Sequence, residues 1–154
     1  MNPGRSNYLD RRRGFRLEHP SSWEVRPGQA GLLLAIVAPP GREGEFRSNL
    51  NVVRKVGMQA AELDRLAEMA IREVARVLTD LIVIDVDAAV VSDRPARRLL
   101  FGYRQGIFGL TAEQWVLVDG DRHWTISAAA SSDVYDSVAD DFSGIVGSFG
   151  IADG

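Results

Sequence analysis

Gly14-Phe15-Arg16-Leu17-Glu18-His19-Pro20-Ser21-Ser22-Trp23-Glu24-Val25 is the stretch on which the fold turns. Two short alternating pieces meet at a Pro-Ser-Ser turn, and the alternation carries Phe15, Leu17 and Trp23 inward together. Proline cannot continue a central ladder, so the first strand is expected to stop at His19. N-terminal of Gly14, residues 1–13 offer only Tyr8 and Leu9 for burial, too little to offset the entropy of ordering the segment. They are expected to form a disordered basic arm, with one folded domain over residues 14–151.

Outward from that corner, Leu32 to Ala38 is an uninterrupted apolar run, which reads as a strand covered on both faces. Phe46 to Val56 alternates as a half-buried strand. The period then changes: Leu63, Leu66, Ala67, Ala70, Val74, Val77 and Leu78 form one stripe of an amphipathic helix expected over Ala60 to Leu78. Four more strands follow, Asp80 to Val91, Ala96 to Arg104, Leu110 to Val118 and His123 to Ala130, whose short connections imply antiparallel neighbours. Either a two- or a four-residue loop at Asp119 to Arg122 places Trp115 and Trp124 on one face with Leu117, Ile126 and Ala128. Gln114, His123, Thr125 and Ser127 then lie opposite. A closing helix, N-capped by Ser132 or Asp133, presents Val138, Phe142, Ile145, Val146 and Phe149. The expected architecture is α+β, an antiparallel sheet sandwiched between helices in three α/β/α layers.

Composition sets the bounds. The chain has 154 residues, 45% hydrophobic and 25% charged, which suits one domain with a real core. With no cysteine, disulfides, thiolate catalysis and cysteine metal sites are excluded. The N-terminus has no run of seven or more apolar residues to serve as a signal peptide, and no later segment is long enough to cross a bilayer, so the expectation is a cytoplasmic chain without membrane contact. The net charge of −3 is uneven, because four arginines against Asp10 give the first 13 residues plus three and leave minus six elsewhere. An acidic C-terminal part with Asp133, Asp136, Asp140 and Asp141 would repel phosphate, so nucleic acid is not an expected partner.

The opening Gly-Phe-Arg-Leu-Glu-His-Pro-Ser-Ser-Trp-Glu resembles the Gly-aromatic-x-aliphatic-x-x-Pro-x-x-Trp start of the PsbP-like superfold. That group includes PsbP, the Ran-binding nuclear-import factor, DcrB-type proteins and LpqN-type lipoproteins. Phe46 to Val53 is similar to the strand before the long helix of LpqN-like members, Asp93-Arg94-Pro95-Ala96 to their Gly-x-Pro-Ala turn, and Phe142 to Phe149 to their closing helix. The turn glycine is replaced by Asp93, and the lipobox cysteine is missing, so membrane anchoring does not carry over. The resemblance implies a sheet between helices and non-enzymatic binding, assembly or chaperone-like roles.

No catalytic motif stands out. Asp85 and Asp87 share a strand face, where paired carboxylates can do acid–base work. In the other reading they form a cross-strand surface with Arg98 and Arg104, while Leu99, Phe101 and Tyr103 join Ile82, Ile84 and Val86. His19 and His123 lack metal-ligand spacing, so no metal is expected, and no cofactor loop is present. The expected function is a non-enzymatic binder of a protein partner or of a second copy of the chain. Its candidate contacts are Ile107 and Phe108, at a glycine-flanked hairpin tip, with Asp85, Asp87, Arg98 and Arg104. The competing reading is a small-molecule binder or hydrolytic enzyme using Asp85, Asp87 and His123.

Overall fold

A computed structural model describes residues 4–29, 31–56 and 63–152. In chain order the elements are β1 (Arg5–Asp10), β2 (Phe15–Pro20), β3 (Glu24–Pro27), β4 (Leu32–Val37), β5 (Asn49–Val56), α1 (Leu63–Val77), β6 (Thr79–Val91), β7 (Arg94–Gln105), β8 (Phe108–Asp119), β9 (Arg122–Ser131), α2 (Tyr135–Ser148) and β10 (Gly150–Ile151). The expected first turn of α1, from Ala60, lies outside the described residues. All pairings are antiparallel, in a seven-stranded sheet of order β3-β4-β5-β9-β8-β7-β6 and a three-stranded sheet of order β1-β2-β10. The fold is therefore α+β. From β5, third in that order, the chain crosses by α1 to the β6 edge, then returns as the β6 to β9 meander until β9 closes on β5.

Side-chain alternation divides the sheet into two cores. On one face Ala96, Trp115, Leu117, Trp124, Ile126 and Ala128 meet Phe15, Leu17 and Trp23 together with Val138, Phe142 and Ile145 of α2. On the other, Leu99, Phe101, Ala112 and Val116 pack beneath Leu66, Ala67 and Val74 of α1. Trp115 lies opposite Ile126 and Leu117 opposite Trp124, so the two indoles share a face as expected. The Pro20-Ser21-Ser22 turn hands the chain from the small sheet to the large one, and α2 shares its layer with β2.

Four expectations change. Residues 5–10 are not a disordered arm: they pair with all of β2, and Tyr8 rests 5.8 Å from the Phe15 ring. The six-residue ladder supplies ordering energy that apolar content alone does not reveal. Removing residues 1–10 is accordingly expected to lower the melting temperature by about 3–6 °C, read by calorimetry; an unchanged value would mean that β1 adds nothing. The apolar run at Leu32 has another cause than cover on both faces. A register shift between Leu32 and Leu34 turns Leu33 and Leu34, both buried, into the same core. Val77, expected in the buried stripe of α1, is exposed at the last residue of the helix, and Leu78 packs against the core in its place. Finally, α2 starts later than expected, at Tyr135 after Val134, with no side-chain cap. The hydroxyl of Ser132 is engaged with Thr111, and Asp133 accepts from Ser131, so neither is free for the helix.

Candidate functional site

Strand β6 is the outermost strand of the large sheet, and no other strand lies on its outer side among the described residues. It is 13 residues long, and Ile82 (68% exposed), Ile84 (57%), Val86 (43%) and Val90 (74%) stand open on it. A tight hairpin fixes its position: Val91 pairs Arg94 across a two-residue turn, with φ of 53° at Ser92 and 58° at Asp93. Two successive positive φ values match the strand twist, and aspartate tolerates them, which explains Asp93 at the glycine position. Asp85 is exposed, and its Oδ1 accepts the Val86 N–H at 2.9 Å.

Behind this edge lies a charged network. Asp87 Oδ2 receives Arg98 at 3.3 Å, and Arg98 Nε donates to Glu113 Oε2 at 2.5 Å. The other Glu113 oxygen accepts the Tyr135 hydroxyl at 2.5 Å. Glu113 is only 1% exposed, on the same face as Trp115 and at the first residue of α2, so its carboxylate needs both partners. Burial, and then the bond to Glu113, push the Tyr135 phenol up to about 12. Despite the opposing effect of burial, Glu113 raises Arg98 above its usual value. The expected Asp–Arg surface thus forms at Asp87 and Arg98, whereas Arg104 lies 4.0 Å from Asp80 and Asp85 opposes Leu100. The apolar partners shift as well: Val86 opposes Leu99 and Val83 opposes Phe101, because the register breaks between Val83 and Asp85 leave Ile84 as the extra residue.

The hairpin tip separates its two candidates. Gly106 and Ile107 form a two-residue turn, which leaves Ile107 87% exposed. Phe108 is half-buried, its ring 6.0 Å from Phe46.

The hydrolytic constellation does not assemble. His123 lies on the α1 face of β9, with β7 and β8 between it and β6, while Asp85 and Asp87 lie on the opposite face. Among the described residues, no group of three or more potential metal-ligating side chains occurs. His123 instead borders a groove of about 610 Å³ between α1 and β5–β9, floored by Gln114, Thr125 and Ser127. Burial, with the charge of Lys55 second, holds this imidazole below its ordinary value. The unfolded chain then takes up the proton first, so stability is full above about pH 6.5 and declines as pH falls below it. His123→Gln is expected to flatten the fall of the unfolding midpoint between about pH 7 and 5; an identical slope would assign the acid sensitivity to other groups.

Glu113 is the residue that sequence reasoning passed over. Its signal was present: an acid in phase with Trp115 and Leu117, which the alternation turns inward.

No protein-family model matches the chain, and neither does any curated protein. Solved structures do. LpqN of Mycobacterium tuberculosis, involved in cell envelope biogenesis, superposes with a TM-score of 0.74 at 16% identity, over 97% of this chain and 91% of that one. The Ran-binding protein Mog1p of Saccharomyces cerevisiae gives 0.67 at 11% identity, over 97% and 96%. Cyanobacterial PsbP (CyanoP) from Synechocystis gives 0.64 at 15% identity, over 96% and 92%. Identities this low speak for the fold alone, and with the Phe15, Leu17 and Trp23 corner in place, the chain has the PsbP-like fold.

Proposed function

We propose that the chain is a non-enzymatic protein-binding domain whose partner docks along the β6 side of the large sheet. The observation that carries this reading is the row Ile82, Ile84, Val86 and Val90, exposed along one edge strand. Ile82 opposes Gly102 on the face of Asp85 and Asp87, while Val86 and Val90 lie on the other, so the edge offers exposed aliphatic side chains to a partner from both faces. Asp85, Asp87, Arg98 and Arg104 supply a charged rim, and Ile107 extends the surface at the hairpin tip. Mog1p is described as Ran-binding and LpqN as involved in envelope biogenesis, which agrees with a scaffold used for binding and assembly. A chaperone-like role fits the same surface, since an open aliphatic edge can shelter an extended segment.

The test is affinity purification from the native host with the wild-type chain and with an Ile82→Ser, Ile84→Ser, Val90→Ser variant. These side chains are already in water, so stability should hold while a retained protein is lost. Equal retention by both would overturn the reading. A second reading, a small-molecule binder, is favoured by the α1 groove, whose polar floor of Gln114, Thr125 and Ser127 faces the apolar Leu66 and Val74. It would use His123 without Asp85 or Asp87.

A further inference from the structure

The sheet's two edges differ in a way that defines the partner. At the far edge, β3 has only four residues, ends in Pro27, and carries Glu24 and Arg26 paired at 2.9 Å. Shortness, proline and charge all discourage strand addition. The first half of β6 is also interrupted, by register breaks between Thr79 and Ile82 and between Val83 and Asp85. From Asp85 to Val91, however, pairing with β7 runs one to one without a break. This segment is regular, and its outer side is open.

Its two faces are chemically distinct. Val86, Ala88 and Val90 share the face of Leu99, whereas Asp85 and Asp87 lie on the other, two residues apart. Strand β6 contains no basic residue. Asp85 forms no ion pair among the described residues, its carboxylate being occupied by the Val86 amide. The second oxygen of Asp87, itself buried, has no hydrogen-bond partner among the described residues.

Resting on the protein-binding reading, we infer that Asp85 to Val91 takes up, as an eighth strand, an extended segment of a partner protein in which aliphatic and basic side chains alternate. Main-chain hydrogen bonds supply affinity in such additions, and alternate side chains supply specificity. Basic residues at every second position lie beside Asp85 and Asp87, and the intervening aliphatic residues cover Val86, Ala88 and Val90. Asp85 releases the Val86 N–H to the incoming backbone and turns to the arriving cation. A second copy of the chain supplies the weaker match. Antiparallel self-pairing centred on Val86 sets Asp85 against the copy's Asp87, and centring on Asp87 sets that residue against itself, which is unfavourable. Centring on Ala88 avoids that clash, facing Asp85 with Val91 and Asp87 with Ala89, but it brings no cation to either carboxylate, as a basic segment does.

The test uses an end-capped heptapeptide alternating valine and lysine and its glutamate counterpart, with affinity read by fluorescence anisotropy and location by amide chemical shifts. The lysine peptide should bind about tenfold or more tightly than the glutamate peptide, weaken with salt, and move the amides of Asp85 to Val91. Asp85→Lys, a change at an exposed side chain, should reverse the preference, and Asp85→Asn should reduce it. Equal binding of the two peptides at those amides would overturn the charge chemistry and leave the docking edge standing. Binding of neither would overturn strand addition, while the edge would still be judged by the host protein lost in the serine variant. A dimer in sedimentation without peptide would assign the edge to a second copy and overturn the inference.

Discussion

Replacing Trp124 by Ala is expected to remove about 3–5 kcal/mol of stability, the cost of emptying a large aromatic site that cannot collapse. The indole is 1% exposed and joins three parts of the chain. Its ring meets Phe15 of β2 at 5.7 Å and Phe149 beyond α2 at 5.4 Å, both edge-on, and Arg54 of β5 lies 5.4 Å from its centroid. Losing it opens the seam between the two sheets, which is the corner that Gly14 to Val25 builds. A domain of this size holds about 5–15 kcal/mol in total, so the variant should be marginal at 37 °C. Among the described residues the indole N–H has no hydrogen-bond partner, so packing and not polarity is its contribution. Trp124→Phe should therefore stay within about 1–2 kcal/mol of wild type, because part of the lost volume is offset by removal of an unpaired buried donor. Urea unfolding decides the matter: a loss below about 1.5 kcal/mol for Trp124→Ala would show that the seam does not depend on this ring.

Much of this core was legible because its signals are local. The alternation around Trp115 and Trp124, the period change into α1 and the short loops of the β6 to β9 meander each depend on a few adjacent residues. What could not be read depends on pairing that composition does not reveal. Strand β1 looks disordered because it has little to bury, and it is ordered by the ladder it forms with the neighbouring β2. Leu33 and Leu34 look like a strand buried on both faces and are instead a bulge into one core. The candidate site divides in the same way. Asp87 and Arg98 were legible as a cross-strand pair because one hairpin sets their register. Glu113 and Tyr135 were not, because they meet across the β8 to α2 interface, 22 residues apart. Nor does the sequence say that β6 is an edge, since its exposed aliphatics read as ordinary strand alternation until β9 is seen to close on β5.

Breaking the network beneath that edge should have the second largest effect. Arg98→Met leaves Glu113 buried with only the Tyr135 hydroxyl, and removing one member of a buried ion pair costs about 3–5 kcal/mol, less where, as here, the arginine is partly in contact with water. About 2–4 kcal/mol is the expected loss, against about 1 kcal/mol for Tyr135→Phe, which deletes one hydrogen bond. The double variant Arg98→Met, Glu113→Leu tests the cause. If the penalty comes from a stranded carboxylate, replacing that carboxylate with an apolar side chain should recover most of it, so the double variant should be more stable than Arg98→Met alone. A double variant less stable than either single change would show that the network itself, and not the desolvated charge, holds α2 to the sheet. The same variant bears on the docking edge, because Arg98 is also the cation facing Asp87. Without it, Asp85 and Asp87 stand together uncompensated, and the lysine heptapeptide should bind more tightly to the double variant than to the wild-type chain. Weaker binding would place Arg98 in direct contact with the partner and not in the support of Asp87.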